Sequence, residues 1–305
     1  MPVIRIKDIN AGVSLTPASF IFEAENKYKR KIDEIIARLN ASGAHILLIA
    51  GPSGSGKTTT ASLIARGIES SGREAVVISL DDFYRDITDP AYPRNSMGEP
   101  DFESVHALDL QFIESTLLSI AQNRPFLLPR FDFESSSRSA VSMHPPIDGG
   151  VVIIEGLHAL NPLISLHLPD GSAYKVFISV STNVEDDDGV RIISGRKLRF
   201  IRRMVRDSIY RATSPKETLK LWGGVLDGEI KYLYPTRVYA DVEFNTFHSY
   251  ELSLMRPFVQ SLVTEDMAEE SDLFKTVLNA VSLAEPIDVG MLPEDSLLRE
   301  FVPAT

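Results

Sequence analysis

The sequence predicts a three-layer α/β sandwich built on a mainly parallel sheet, and three observations carry that prediction. Short runs of uninterrupted apolar residues recur along the 305-residue chain, stretches with helical spacing separate them, and a 44% apolar composition is enough to cover a sheet on both faces. Strands of a parallel sheet are buried on both sides, so they read as continuous hydrophobic runs rather than as an alternation.

The elements follow in order. Thr16-Pro17 has the form of an N-cap followed by Pro at the first helical position, and Tyr28, Ile32, Ile35, Ile36 and Leu39 then recur at helical spacing. That helix leads into His45-Ile46-Leu47-Leu48-Ile49-Ala50, a first strand ending at a glycine, and Ala61, Leu63, Ile64 and Ile68 mark the next helix. Val76-Val77-Ile78-Ser79-Leu80, Val151-Val152-Ile153-Ile154 and Lys175-Val176-Phe177-Ile178-Ser179-Val180 are three further strands, with Ala240-Asp241-Val242-Glu243-Phe244 a weaker fifth. Gly/Pro/Ser-rich stretches near 86–101 and 134–150 read as loops. From Tyr250 onward, Leu254, Met255, Phe258 and Val259, then Leu273, Phe274, Val277, Leu278 and Val281, predict two helices packed on the core as an appendage. The expected organisation is an N-terminal segment with its leading helix (1–43), a core (44–249) and a C-terminal helical part (250–305).

Composition narrows the function classes. A net charge of −11 opposes general binding to nucleic acid or to an anionic membrane, so any anionic ligand must be bound locally. Zero Cys excludes disulfides, thiolate metal sites and thiol chemistry. No apolar run approaches the roughly 18 residues that span a bilayer, and the N-terminus has no signal-peptide pattern. A soluble, cytoplasmic protein is expected, with its oligomeric state, a homo-oligomer included, left open.

Gly51-Pro52-Ser53-Gly54-Ser55-Gly56-Lys57-Thr58 matches G-x-x-x-x-G-K-[ST] between a predicted strand and a predicted helix, which is the context the motif requires. Glycines let the backbone curl so that successive N–H groups face a triphosphate, and the helix N-terminus adds partial positive charge. Gly51, Ser53, Gly54, Ser55, Gly56, Lys57, Thr58 and Thr59 are therefore expected to hold ATP, with Lys57 at the β- and γ-phosphates and Thr58 on Mg²⁺.

The loop does not by itself separate kinases from other nucleotide hydrolases, but an N-K-x-D guanine-reading motif is missing from the sequence. Ser79-Leu80-Asp81-Asp82 puts two carboxylates at a strand's C-terminal edge, where α/β sheets bind ligands and where a carboxylate can take the proton of an attacking hydroxyl; one of the two is expected merely to cap. Glu155, at the end of the Val151–Ile154 run, is placed like the acid that orients Mg²⁺. His158 is expected to cap or pack rather than bind a metal, and Glu185-Asp186-Asp187-Asp188-Gly189 lacks the alternation of a calcium loop and reads as a solvated acidic turn.

From Arg191 to Arg211 eight basic residues stand against one acid, Asp207. On a helix, Arg199, Arg202, Arg203 and Arg206 fall within an arc of about 100° beside a stripe of Leu198, Ile201, Val205 and Ile209. Like charges so close need a compensating anion, which suggests a lid over 191–213 that closes on ATP and neutralises charge on the transferred phosphoryl group.

Taken together, the phosphate loop, Ser79 to Arg85, Asp101-Phe102-Glu103-Ser104 with Ala107-Leu108-Asp109, Pro129-Arg130-Phe131-Asp132-Phe133, Ile154-Glu155-Gly156 and Arg202 to Asp207 resemble, in that order, the uridine kinase and phosphoribulokinase family of P-loop kinases. The likeness extends to a bacterial uridine-kinase-like branch through Glu155 to Pro162, Gly228-Glu229-Ile230-Lys231 and Ser296-Leu297-Leu298-Arg299-Glu300-Phe301. Many members of that branch carry a small N-terminal ubiquitin-like module, and the roughly 15 residues before the first predicted helix are expected to be too few for it. The resemblance implies a P-loop NTPase fold of the nucleoside-kinase type with a helical lid. It implies Asp81 as catalytic base, Tyr84 and Glu103 near the acceptor's sugar, and Arg203 and Arg206 in the phosphate shell, with Lys57 among the catalytic groups. Phe131, Ser136 and Arg138 fall in the segment that reads the base, where pyrimidine kinases have a Tyr and a His in place of Phe131 and Ser136.

The expected function is transfer of the γ-phosphoryl group of MgATP to a hydroxyl of a small molecule, a uridine- or cytidine-like nucleoside at its 5′ position. A sugar, polyol or other alcohol as acceptor is the first alternative, and a nucleotide-binding regulator without turnover the second.

Overall fold

The computed structural model describes residues 2–95, 97–133, 135–166 and 168–303. Residues 96 and 134, which fall inside the two expected loops, lie outside the described residues, as do 1, 167, 304 and 305. The first 15 residues form a short strand, β1 (Val3–Arg5), and a helix, α1 (Ile6–Leu15), neither of which was expected. The leading helix α2 (Pro17–Ser42) starts where the Thr16-Pro17 pair suggests, but the Thr16 hydroxyl makes no capping bond; its N–H closes α1 on the Gly12 carbonyl instead.

Each of the five predicted apolar runs becomes a strand, β2 (Ile46–Ala50), β3 (Ala75–Ser79), β6 (Val151–Glu155) and two more further along the chain; helix α3 (Lys57–Glu69) lies between β2 and β3, and helix α4 (Leu110–Ala121) and an unpredicted hairpin, β4 (Phe126–Asp132) and β5 (Ser137–His144), lie between β3 and β6. The chain continues through a short helix α5 (Pro162–Ser165), β7 (Ala173–Ser179), β8 (Asn183–Glu185) and β9 (Arg191–Ile193), then α6 (Gly195–Tyr210), α7 (Pro215–Gly228) and β10 (Val242–Asn245), and ends with α8 (Glu251–Leu262), α9 (Glu265–Glu270) and α10 (Asp272–Ser282).

Five strands form one wholly parallel sheet in the order β10-β7-β2-β6-β3. Alternate residues of each strand serve opposite faces: Leu47, Ile49, Val151 and Ile153 join α2, α3, α6, α8 and α10 in one apolar cluster, while Ile46, Leu48, Val152 and Ile154 join α4 and α5 in the other. This is the expected three-layer sandwich, and it explains why the central strands β2 and β6 carry no polar alternation, unlike the edge strand β10. The sheet reverses its winding at β2, whose two neighbours, β6 and β7, come later in the chain, so the crevice at its C-terminal end is the natural ligand site.

Two elements differ from expectation, and the expected acidic turn between them agrees with it. Much of 134–150 is not loop but β5, paired antiparallel with β4 outside the main sheet; its residues are largely exposed, so burial imprints no apolar signal on it. The acidic run 185–189 is the turn between β8 and β9, closed by the Asp186 carboxylate accepting from the N–H groups of Asp188 and Val190. The C-terminal part has three helices rather than two, and Phe274, Val277, Leu254, Val259, Leu297, Phe301 and Val302 are buried in the same cluster as the sheet. Among the described residues no helix is long and apolar enough to cross a membrane.

Candidate active site

The C-terminal ends of three strands assemble the site. From β2 the chain enters Gly51–Gly56 and then α3, a turn that needs glycine twice: Gly54 (φ +72°) and Gly56 (φ +85°) lie in the left-handed region, and a Cβ on either would strike a neighbour, the Arg199 carbonyl at 2.8 Å or Leu297 at 2.5 Å. Ser55 is fully buried, yet its hydroxyl has no hydrogen-bond partner among the described residues. The Lys57 ammonium reaches back to the Pro52 carbonyl at 3.4 Å, and the Thr58 hydroxyl donates to Glu155 Oε1 at 3.1 Å. A left-handed glycine pair, an unpaired buried hydroxyl and a lysine at the head of a helix fit the phosphates of a nucleotide. Thr58 with Glu155 fits Mg²⁺, which takes few protein ligands; no group of three or more His, Asp or Glu that could hold a metal occurs among the described residues.

Glu155, 3% exposed, closes β6, while Asp81 and Asp82 follow β3 in a 3₁₀ turn capped by the Ser79 hydroxyl. The two aspartates divide their work. Asp82 Oδ1 accepts the Phe131 N–H at 3.2 Å, tying the β4–β5 hairpin to the sheet, whereas the Asp81 carboxylate is exposed at the end of β3 and makes no hydrogen bond among the described residues. Surrounding protein raises the pKa of Asp81, Lys57 opposes that rise and Asp82 adds to it; burial likewise raises Glu155, with Lys57 lowering it and Asp81 raising it. Lys57 thus faces both carboxylates.

Glu103 approaches from the loop before α4. Burial pushes its carboxyl to about 7, against the pull of Arg203 and with a push from Glu229. Gly228 allows this approach, since a Cβ there would lie 2.5 Å from the Glu103 side chain. His158 is 3% exposed and its Nε2 bonds the Glu103 carbonyl at 2.9 Å, a packing role that burial reinforces by lowering its pKa to about 4. Tyr84 donates to the Phe102 carbonyl at 2.9 Å, and its ring forms a cluster with Phe131 and Phe133 at centroid distances of 5.1–6.1 Å. Ser136 takes a left-handed φ of +51° and turns its hydroxyl toward the Phe133 carbonyl at 3.5 Å. Arg138 lies further out: its guanidinium holds Asp109 at 2.9 Å over the Phe112 ring, and its N–H holds Asp86 at 2.8 Å.

The arginine helix α6 differs from the lid expected over 191–213. Arg191–Ile193 is strand, and Leu198, Phe200, Ile201, Met204 and Val205 root α6 in the core, while Ile209, the last residue of the expected stripe, is 36% exposed. Arg199 and Arg202, expected around the nucleotide, are 2% and 1% exposed and point inward. Arg199 forms a two-pronged pair with Glu229 at 2.7 and 2.8 Å and donates to the Ser53 carbonyl at 2.8 Å; Arg202 pairs with Glu251 and reaches the Gly54 carbonyl at 3.3 Å. Glu229 Oε1 also accepts the Ser53 N–H at 3.3 Å. The compensating anions are therefore carboxylates of the chain itself, and the pairs grip the phosphate loop by its main chain. Arg203 Nη1 reaches the Ser53 hydroxyl at 3.1 Å, and Arg206 pairs with Asp207 at 2.8 Å. Glu229 and Glu251 stand in the sequence as isolated acids 30 and 49 residues from their partners, with no local spacing to mark them.

A family model, "Phosphoribulokinase / Uridine kinase family", matches residues 46–253. A uridine kinase of Deinococcus deserti is 31% identical over 199 residues, covering 65% of this chain and 85% of its own, and one of Lactobacillus helveticus is 31% identical over the same length and share of this chain, covering 84% of its own. A uridine-cytidine kinase C of Dictyostelium discoideum is 27% identical over 266 residues, 85% of this chain and 52% of its own. Among solved structures, a possible uridine kinase from Bacillus stearothermophilus aligns over 72% of this chain and 100% of its own, with a TM-score of 0.46 at 18% identity. The matched span runs from β2 through the start of α8 and takes in the phosphate loop, both strand-end acids and the arginine helix, and the chain belongs to the phosphoribulokinase/uridine kinase family of phosphotransferases.

Proposed function

We propose that the chain transfers the γ-phosphoryl group of ATP to the 5′ hydroxyl of a uridine- or cytidine-like nucleoside, with Asp81 as general base. The observation that carries this reading is the pairing of two differently used carboxylates around one lysine: Glu155 is bonded to Thr58 beside the phosphate loop, and Asp81, exposed at the end of β3, makes no side-chain hydrogen bond among the described residues. Backbone N–H groups of 51–58, with Lys57, hold the triphosphate. Thr58 and Glu155 would hold Mg²⁺, which when bound neutralises charge on the phosphates. Asp81 takes the proton as the acceptor oxygen bonds to the γ-phosphorus and the bond to the β,γ-bridging oxygen breaks, releasing ADP. Arg203, held at Ser53, faces Glu103 and places positive charge between the loop and the acceptor side, with Arg206 one turn behind. Arg199 and Arg202 support the loop from behind through Ser53 and Gly54. Glu103 and Tyr84 line the sugar side and the Phe131–Ser136–Arg138 hairpin the base side.

A second acceptor class is favoured by one observation: the hairpin offers the Phe131 ring without a hydroxyl, and the Ser136 hydroxyl is turned to its own turn, so few polar groups there would read a base. A sugar or polyol would not need them. The test is ADP release with MgATP across uridine, cytidine, purine nucleosides, ribose and inositol. Turnover with uridine or cytidine supports the nucleoside reading, turnover only with ribose or inositol replaces it, and ATP binding without turnover on any acceptor favours a regulator.

A further inference from the structure

Beyond the cleft, the contacts of the C-terminal 3₁₀ turn with its two caps, Ser296–Phe301, converge on the phosphate loop. Leu297, fully buried, occupies the space that the missing Cβ of Gly56 leaves, one residue before Lys57. Glu300 Oε2 accepts the Thr59 hydroxyl at 2.6 Å, in the first turn of α3, and the other carboxylate oxygen, Oε1, lies 4.0 Å from Arg206 Nη1. The Phe301 ring sits 5.3 Å under Arg202, the guanidinium that holds the Gly54 carbonyl. The turn is itself pinned from outside. Arg299 donates to the carbonyls of Leu292 at 2.5 Å and Pro303 at 2.8 Å, and the Ser296 hydroxyl donates to the buried Glu25 at 2.7 Å. Residues more than 230 positions away thus clamp both sides of Lys57, at Gly56 and at Thr59.

We infer that the C-terminal turn is a part of the nucleotide site, in which Glu300 is a positioning residue: by accepting the Thr59 hydroxyl it fixes the first turn of α3, and with it the N–H groups that face the phosphates. The inference rests on the reading of Gly51–Thr59 as the nucleotide-phosphate site. Glu300 is partly exposed at the rim, so its loss leaves the buried part of the turn, Leu297, Leu298 and Phe301, in place. The fixed geometry matters because donors preset on a loop bind an anion without first being ordered.

The test measures ATP affinity directly, by titration calorimetry, in the wild type, Glu300→Ala and Glu300→Gln, with melting of the unliganded proteins and the KM of whichever acceptor turns over. In Glu300→Ala, ATP affinity should fall about five-fold or more, with unliganded melting and acceptor KM unchanged. Glu300→Gln keeps an acceptor oxygen for Thr59 and should restore most of the affinity. ATP affinity within two-fold of wild type in Glu300→Ala overturns the inference, as does a Glu300→Gln variant no better than Glu300→Ala. Should Glu300→Ala melt early, Leu297→Ala compared with Leu298→Ala, two equally buried leucines of which only Leu297 meets Gly56, decides: an equal loss of ATP affinity in both overturns the assignment, and a loss confined to Leu297→Ala supports it. Failure of the wild type to bind ATP would fall on the nucleotide reading instead.

Discussion

Asp81 and Asp82 are adjacent and chemically identical, and their surroundings give them different roles. Asp82 is committed to the Phe131 N–H, and Asp81 is left open beside Lys57. Asp81→Asn keeps size and polarity but cannot accept the acceptor's proton, so turnover should fall by about 10²–10⁴-fold while ATP affinity stays close to wild type, measured by ADP release and calorimetry. Near-normal turnover would remove Asp81 from the chemistry. Glu103 makes a separate prediction. Its folded pKa is raised from 4.5 to about 7, so it is largely protonated below neutrality and gains its charge as pH rises through 7. A carboxylate accepts more hydrogen bonds from a sugar than the acid does, so kcat/KM for the acceptor should rise across pH 6–8, and Glu103→Gln should flatten that rise. A profile identical in the two proteins would detach Glu103 from the acceptor. At this scale the sequence was most legible where chemistry is local: the phosphate loop names its residues by contiguous spacing. The partners Glu229 and Glu251 were not, because which carboxylate meets which guanidinium is decided by how α6, the turn after α7 and the start of α8 cross.

At the scale of elements, the arginine helix shows how an unusual charge pattern is resolved. A two-pronged Arg199–Glu229 pair at 2% and 0% exposure is retained at a desolvation cost, and its arms also hold Ser53 from both its N–H and its carbonyl. Removing one partner leaves the other charged and buried. Glu229→Ala should therefore destabilise the fold by about 3–5 kcal/mol in urea unfolding, and Arg199→Lys, which keeps the charge without the fork, should recover only part of the loss. A Glu229→Ala loss under about 1 kcal/mol would mean that the pair is dispensable. Helical periodicity found this helix and its apolar stripe, and it also placed the arginines together on one side. What periodicity could not show is that Arg199 and Arg202 on that side are turned into protein, while Arg203 and Arg206 stay partly exposed. The central strands β2 and β6 were legible for the opposite reason, since burial on both faces writes itself into every residue, whereas the edge strand β10, with Glu243 exposed, carried the weaker signal. The β4–β5 hairpin is held by backbone ladders and by Asp82, Asp86 and Asp109, so the sequence of β5 records exposure and reads as loop.

Across the whole molecule, the tail and the site draw on the same buried polar groups, and their protonation should set the pH dependence of stability. His158 and His248, 3% and 1% exposed, both have pKa values lowered to about 4, so burial holds each neutral. His248 lies beside the tail's anchor, with Nδ1 on the Thr246 carbonyl and Nε2 3.6 Å from Glu25, the carboxylate that also takes the hydroxyls of Tyr250 and Ser296. A group whose folded pKa is depressed contributes stability that is full above its unfolded value, 6.5, and lost as pH falls toward 4, on the order of 3 kcal/mol for each histidine by pH 4. The carboxylates act in the other sense: Glu103, raised from 4.5 to about 7, gains folded-state stability as pH falls from 7 to 4.5, and the raised pKa values of Glu25, Asp81 and Glu155 have the same sign. Between pH 7 and 4.5 the two sets oppose one another, so wild-type stability should vary weakly there. Replacing both histidines with Gln, whose amide can still donate to the Glu103 and Thr246 carbonyls, removes only the acid-labile set. Relative to its own value at pH 7, the double variant should then become more stable as the pH falls to 4.5, read as a rising urea midpoint. Parallel pH profiles for the two proteins would show that neither histidine is held neutral by the fold.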